Sequence, residues 1–146
     1  MNMLAKAIQI ASTVHLNQVD KGGKPYILHP LWVMDKVRHL GEDYMIVAVL
    51  HDVLEDSETT YGEMYDMLVE QGFKENIMYA LALLTHDNDQ QTYDDYIRGI
   101  STNPIAKAVK LRDLEHNSRI TRIKGLRKKD FDRLEKYHRA YTYLLD

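Results

Sequence analysis

The chain of 146 residues contains no cysteine, which excludes disulfides, thiolate nucleophiles and cysteine-ligated zinc or iron–sulfur sites. Any metal ion must therefore be held by imidazole and carboxylate groups. Apolar runs such as Met45 to Leu50 are far shorter than the roughly 18 residues that a membrane span needs. The first residues form an amphipathic pattern and do not resemble a secretion signal, so we expect a cytoplasmic protein.

The chain also lacks a large excess of charge of either sign. It has 19 basic and 22 acidic side chains, a formal net charge of -3. This balance gives no overall attraction to nucleic acid or anionic lipid, and we expect neither partner. Hydrophobic residues at 45% and charged residues at 28% are typical of a globular chain with a packed core. We expect one domain over residues 1–146.

Apolar residues recur at helical spacing, and no stretch alternates long enough to indicate a strand. The fold class is therefore predicted to be all-α, a single-domain helical bundle. A polar segment over 17–25, with two glycines and a proline, predicts the longest loop. Helices are predicted over about 3–16, 30–40, 42–55, from Thr60 to near Gly72, and over 74–84, 91–100, 104–118 and 128–145.

The sequence HDVLED at 51–56 carries the strongest chemical signal. On a continuous helix His51 and Glu55 form one row of side chains, and Asp52 and Asp56 form the next. The preceding apolar run is expected to draw His51 into the interior, where a divalent cation would offset the cost of burying imidazole beside carboxylates. The alternative is a helix end exposed to solvent, with His51 bonded to a nearby carbonyl.

Two other segments supply further candidate ligands. His29 precedes Pro30, so its backbone is expected to be extended at a helix entrance, which suits a fixed ligand. Asp113 shares a helix face with Lys110 and Asn117. Two imidazoles and two carboxylates from three helices suit manganese, iron or zinc. The candidate set is His29, His51, Asp52 and Asp113.

Three segments in this order resemble the hallmark motifs of the HD superfamily. They are QVDKGGKPYILHP at 18–30, HDVLED at 51–56 and KLRDLEHNSR at 110–119. The resemblance is to the hydrolase domain of the RelA/SpoT alarmone enzymes and their small stand-alone relatives. It implies an all-helical HD fold and a manganese-dependent pyrophosphohydrolase that removes the 3′-pyrophosphate of (p)ppGpp.

The resemblance also implies roles for individual residues. Glu55 and Asp56 match the acidic pair that handles the attacking water. Asn117 matches a residue that contacts the nucleotide, and Lys21 matches the second member of a basic pair before the HP segment. The residues that match the metal ligands are His29, His51, Asp52 and Asp113.

The motifs depart from the alarmone hydrolases at three positions. Asp20 stands where those enzymes usually have an arginine that helps hold the guanine, Gly22 replaces a serine, and Ser118 replaces a hydrophobic residue. A carboxylate in place of a guanidinium would repel phosphate and cannot stack on a base. The metal centre is therefore expected to be intact and the alarmone pocket to be altered. Short bacterial HD proteins with a Gln-Val-Asp-Lys segment are more similar.

We therefore predict a metal-dependent phosphohydrolase that acts on a small nucleotide, with (p)ppGpp or a related molecule as the best candidate. A metal ion in such a site lowers the pKa of water from about 15.7 towards 7. By motif position, Lys21, Lys110 and Arg119 are the candidate cations for the phosphoryl charge. The alternatives are an HD-type nucleotide monophosphatase and a nucleotide- or metal-binding module without turnover.

Other polar residues are expected to play structural parts. His86 is predicted to lie at a helix end followed by a loop, and Tyr93 and Tyr96 are predicted to pack at a helix start. The basic run over 119–129 is expected to be a solvated connection, although it could touch a phosphate. Four histidines are expected at the surface or beside the ligands: His15, His39, His116 and His138.

Overall fold

The computed structural model describes residues 2–146, which form nine α-helices and one 3-10 turn. Within this part of the chain the only extended pairing is a single antiparallel bridge between Val19 and Pro25. No helix of the described residues is long and apolar enough to cross a membrane. The helices are α1 (Met3–Val14), α2 (Leu28–Lys36), α3 (Glu42–Leu50), α4 (Val53–Asp56), α5 (Tyr61–Glu70), α6 (Glu75–Leu84), α7 (Tyr93–Ser101), α8 (Pro104–Asn117) and α9 (Lys128–Leu145), with the 3-10 turn at Arg38–Leu40.

Helix α3 lies at the centre of the bundle. It packs against α1, α2, α6 and α8, and every residue from Ile46 to Leu50 is buried. A helix that is apolar all round is stable only when other elements cover all its faces. The end of α3 therefore delivers the following residues, His51 and Asp52, directly into the interior.

The all-α prediction is confirmed, and most helices begin where their capping residues place them. The side chain of Asn2 accepts a hydrogen bond from the Ala5 N–H (3.0 Å) at the start of α1. Thr60 caps α5 by accepting from the Glu63 N–H at 3.2 Å. Asn103 caps α8, with Pro104 in its first turn. These side chains satisfy N–H groups that have no intrahelical partner, which fixes the helix starts.

The prediction of one continuous helix over 42–55 is wrong. Helix α3 ends at Leu50, His51 and Asp52 form a turn, and α4 starts at Val53. Consecutive residues of a regular helix point about 100° apart, whereas His51 Nε2 and Asp52 Oδ2 lie only 3.1 Å from each other. The break lets two adjacent side chains face the same point.

The prediction that His29 lies in extended backbone before the helix is also wrong. His29 is the second residue of α2, and its N–H donates to the Tyr26 carbonyl at 2.9 Å. Residues before proline are biased against helical backbone. Here the hydrogen bond from the His29 N–H to the Tyr26 carbonyl extends the start of the helix and overcomes this bias. Pro30 remains in the first turn, where its missing N–H costs no intrahelical bond.

Candidate metal centre and active site

His29, His51 and Asp113 converge on one point, as the sequence predicts. One ligand atom from each lies within 4.8 Å of the others. His29 Nε2 is 2.8 Å and His51 Nε2 is 3.3 Å from Asp113 Oδ1. All three side chains are buried, and they come from α2, the end of α3 and α8. Residues far apart in sequence thus form a compact donor set of the kind that holds a divalent cation.

Asp52 lies beside this group. Its Oδ2 atom is 3.1 Å from His51 Nε2 and 4.0 Å from His29 Nε2. The Tyr26 hydroxyl donates a hydrogen bond to the same oxygen. Burial raises the pKa of Asp52, but the neighbouring His51 lowers it by more. The pKa of this carboxyl therefore lies below its ordinary value. Asp52 is therefore an ionised carboxylate whose orientation Tyr26 fixes.

The hydrogen bonds of His51 leave one ring nitrogen for a ligand bond. Nδ1 lies 2.6 Å from the Ala48 carbonyl oxygen, which can only accept, so Nδ1 carries a proton. Nε2 is buried and makes no hydrogen bond of acceptable geometry with any of residues 2–146. Burial lowers the pKa of His51, but Asp52 and Asp113 raise it by more. The ring is thus oriented with Nε2 towards the two carboxylates. In metal-ligating histidines the other ring N–H is bonded in this way to a carbonyl oxygen, which fixes the ring.

His116 contacts the ring of His29. The sequence predicts His116 only as a residue at the surface or beside the candidate ligands. Their Nδ1 atoms lie 2.7 Å apart, and the rings stack at 5.0 Å. Burial and then the neighbouring His29 lower the pKa of His116 to about 4, so the neutral His116 ring accepts a hydrogen bond from the His29 Nδ1–H. His116 in turn stacks on Trp32 at 4.4 Å. The sequence signal for this contact is the three-residue spacing between Asp113 and His116, which places both on one face of α8.

Lys110 and Asn117 hold Asp113 in place, in agreement with their shared helix face. Lys110 Nζ donates to Asp113 Oδ2 at 2.9 Å, and Asn117 Nδ2 donates to Oδ1 at 3.0 Å. Burial raises the pKa of Asp113, but Lys110 and the histidine contacts lower it well below its usual value. Lys110 is itself buried, with Nζ 5.2 Å from the Tyr96 ring centre. Asp113 is therefore ionised and rigidly oriented.

Glu55 and Asp56 lie on α4, directly after the turn that carries His51 and Asp52. The Glu55 carboxylate accepts a hydrogen bond from the His86 N–H at 2.8 Å. Asp56 accepts one from Gln18 Nε2 at 3.1 Å. Burial raises the pKa of both carboxyl groups. Both line a cavity of about 960 Å³ together with His86, which follows α6 as predicted.

A second cavity, of about 260 Å³, lies where the loop over 17–25 meets α8 and α9. Asn117 connects it to the group of His29, His51 and Asp113 because the same side chain bonds to Asp113. Arg119 does not line it, since its guanidinium lies over the Trp32 ring at 4.8 Å. The residues that line this cavity are Gln18, Val19, Asp20, Lys21, Tyr26, Asn117, Arg122, Ile123, Arg133 and Tyr137.

Arg122 departs from the solvated connection predicted for 119–129. Its Nη1 lies 3.5 Å from Asp20 Oδ2, and its Nε is buried without a hydrogen-bond partner among the described residues. Asp20 Oδ1 accepts the N–H groups of Gly22 (2.8 Å) and Lys24 (2.9 Å). Burial raises the pKa of Asp20, but these backbone bonds and Arg122 together lower it by more, so the pKa lies below its ordinary value. The carboxylate that replaces the expected arginine is thus compensated locally, and a guanidinium reaches the cavity from a distant segment.

No family model matches the chain. It is 33% identical over 114 residues to the guanosine-3′,5′-bis(diphosphate) 3′-pyrophosphohydrolase of Aquifex aeolicus, covering 75% of this chain and 16% of that protein. The Borreliella burgdorferi protein of the same name is 30% identical over 145 residues, covering 90% and 20%. The probable GTP pyrophosphokinase of Mycobacterium leprae is 28% identical over 132 residues, covering 84% and 16%. The chain spans one fifth or less of the length of these relatives.

Among solved structures, a metazoan ortholog of SpoT that hydrolyzes ppGpp superposes with a TM-score of 0.77. It is 21% identical to this chain, and the match covers 99% of this chain and 86% of that one. At this identity the similarity establishes the helical fold. The fold, the three motifs and the sequence matches together show that the chain resembles the HD-type (p)ppGpp hydrolases of the RelA/SpoT family.

Proposed function

We propose that this chain is a manganese-dependent hydrolase that removes the 3′-pyrophosphate of (p)ppGpp or of a related pyrophosphorylated nucleotide. The observation that carries the proposal is the convergence of His29, His51 and Asp113, with an acidic pair one turn further along the chain. The names of the relatives support this substrate class. The cytoplasmic location and the single domain stay predictions.

The donor set fits a divalent cation. We propose His29, His51 and Asp113 as ligands, with Asp52 as the fourth, because these oxygen and imidazole donors match the preference of manganese, iron and zinc. The buried Nε2 of His51, which makes no hydrogen bond, supports this assignment. Among these metals we propose manganese, because the resemblance to the alarmone hydrolases implies a manganese-dependent enzyme. A cation bound there supplies Lewis acidity that polarises a phosphoryl oxygen and makes water more acidic.

Glu55 and Asp56 are proposed to handle the attacking water. The water gives a proton to one of these carboxylates as its oxygen bonds to the phosphorus attached to the 3′ oxygen. The ester bond to that oxygen breaks, pyrophosphate leaves, and the 3′ oxygen takes up a proton. Burial raises the pKa of both carboxyl groups above its ordinary value, which makes each a better general base. General-base catalysis of this kind contributes about 10²–10⁴-fold.

The 260 Å³ cavity is proposed to bind the remaining charge of the nucleotide. Lys21 and Asn117, which the resemblance implies for substrate binding, are at its wall, and Arg122 adds a guanidinium whose Nε has no hydrogen-bond partner within residues 2–146. Lys110 is proposed to act through Asp113, because its ammonium group bonds to that carboxylate. Arg119 is placed on Trp32, so its contribution to substrate binding stays a prediction.

Incubation of the manganese-loaded protein with a panel of nucleotides, followed by product identification, tests this proposal. We expect pyrophosphate from ppGpp or a related 3′-pyrophosphorylated nucleotide, and no product from a His51→Ala control that folds but lacks metal. Orthophosphate released from nucleoside monophosphates would instead identify a monophosphatase. Stoichiometric metal with no turnover of any nucleotide would contradict the catalytic proposal and leave a binding module.

A further inference from the structure

A hydrogen-bonded chain leads from the buried His15 through the half-buried Gln18 to Asp56. His15 follows α1 and is 1% exposed. Its Nδ1 lies 2.8 Å from Gln18 Oε1, and Gln18 Nε2 lies 3.1 Å from Asp56 Oδ2. The imidazole itself approaches Asp56 Oδ2 only to 3.9 Å, so Gln18 mediates the connection.

The chemistry of these groups fixes the direction of each hydrogen bond. An ionised carboxylate only accepts, so the amide nitrogen of Gln18 must face Asp56 and the amide oxygen must face His15. That oxygen also only accepts, so His15 carries its proton on Nδ1. Its Nε2 is buried without a hydrogen-bond partner in the described part of the chain, which is consistent with a neutral ring because a protonated ring would bury an unpaired N–H.

The segment that contains Gln18 and Tyr26 also bonds to the Asp52 carboxylate. The Tyr26 N–H donates to the Gln18 carbonyl at 2.8 Å, which fixes the backbone from which the Gln18 side chain extends. The Tyr26 ring packs against His15 at 5.0 Å, and its hydroxyl donates to Asp52. Tyr26 and Gln18 thus give Asp52 and Asp56 one donor each from one rigid loop.

We propose that His15 and Gln18 are positioning residues that hold the Asp56 carboxylate for its reaction with water, with His15 acting through Gln18. This inference rests on the proposed function of Asp56. The donor from Gln18 occupies one carboxylate oxygen and prevents rotation of the group, which leaves the other oxygen in a fixed direction. A misplacement of about 1 Å in such a group costs up to roughly 10²-fold in rate.

A pair of substitutions at His15 separates hydrogen bonding from packing. Asn places a side-chain N–H near the position of the histidine Nδ1, whereas Leu fills the buried volume without a donor. We expect His15→Asn to retain most of the turnover and His15→Leu to lower kcat about 10-fold or more, with KM and bound metal little changed. Gln18→Leu should lower kcat at least as much as His15→Leu.

A purely structural role predicts the opposite order, because Leu suits an apolar interior better than Asn does. Equal losses in the two His15 variants, higher activity of His15→Leu, or a change confined to KM would overturn the inference. Thermal unfolding of each variant shows whether the loss of kcat follows stability, and kcat that tracks stability across the series would also overturn it.

A readout that does not depend on turnover separates this inference from the proposed function. If the wild-type protein hydrolyses no nucleotide, the proposed function fails. ¹⁵N NMR of the His15 ring then tests the chain, with a neutral Nδ1–H tautomer expected. The ¹³Cγ resonance of Asp56 should shift in Gln18→Leu and in His15→Leu but much less in His15→Asn. An Nε2–H tautomer, or an Asp56 resonance that ignores all three changes, would refute the positioning chain.

Discussion

Asp113→Asn removes the charge that compensates the buried Lys110 and changes the shape of the side chain very little. The two groups are 2.9 Å apart, and their side chains are 7% and 12% exposed. Removing one partner of a buried ion pair leaves the other charge unpaired in a medium that solvates it poorly. We therefore expect a large loss of stability that is independent of any bound cation.

The expected loss is about 3–5 kcal/mol in the free energy of unfolding. A chain of this size loses about 2–4 °C of Tm per kcal/mol, so the Tm should fall by roughly 6–20 °C. Thermal unfolding followed by circular dichroism in the presence of EDTA measures this loss without a contribution from metal binding.

The double variant Asp113→Asn, Lys110→Met is the matched control. It removes both charges, so it should recover most of the stability that the single variant loses. A single variant within about 1 kcal/mol of the wild type would refute the reasoning. A double variant that is less stable than the single one would also show that Lys110 is not the group left unpaired.

Three further outcomes follow from the structure. Glu55→Gln and Asp56→Asn should each lower kcat by about 10²–10⁴-fold and leave the manganese content per chain unchanged, and loss of metal would show that they are ligands instead. Arg122→Met should raise KM for a phosphorylated nucleotide and leave kcat nearly unchanged, as measured by steady-state kinetics; an unchanged KM would exclude Arg122 from substrate binding. Lys74 donates to Asp43 at 3.0 Å and lowers the pKa of that carboxyl from 3.8, so the pair stabilises the fold above that pH and the contribution is lost as the pH falls through the lowered value. Lys74→Met should therefore cost about 0.2–1 kcal/mol at pH 7 in urea unfolding and nothing once Asp43 is protonated, and a difference that persists in acid would contradict this.

The sequence predicts the helices well because their signals are local. Asn2, Thr60 and Asn103 each precede an apolar periodic segment and cap the helix that follows. The end of α3 could not be predicted in this way. Ile46 to Leu50 are apolar on all sides, so periodicity carries no information there. The groups that His51 meets after the break, His29 and Asp113, come from α2 and α8.

The sequence indicates that His29, His51 and Asp113 come together, but it does not indicate most of the contacts around them. His29 and Asp113 were expected from motif residues, whereas the bond between His29 and His116 joins positions 87 residues apart. Gln18 and Asp56 are 38 residues apart, and no local pattern indicates that they meet. Arg122 lies in a basic run that is typical of solvated loops, and only the fold brings it to Asp20.

The proposed hydrolysis depends on one divalent cation held by His29, His51 and Asp113. Anomalous difference density at the manganese edge, from a crystal of the manganese-loaded protein, shows where the cation lies. We expect one strong peak between His29 Nε2, His51 Nε2 and Asp113 Oδ1, with Asp52 in contact. A strong peak elsewhere in a protein with stoichiometric manganese, and none between these atoms, would contradict it.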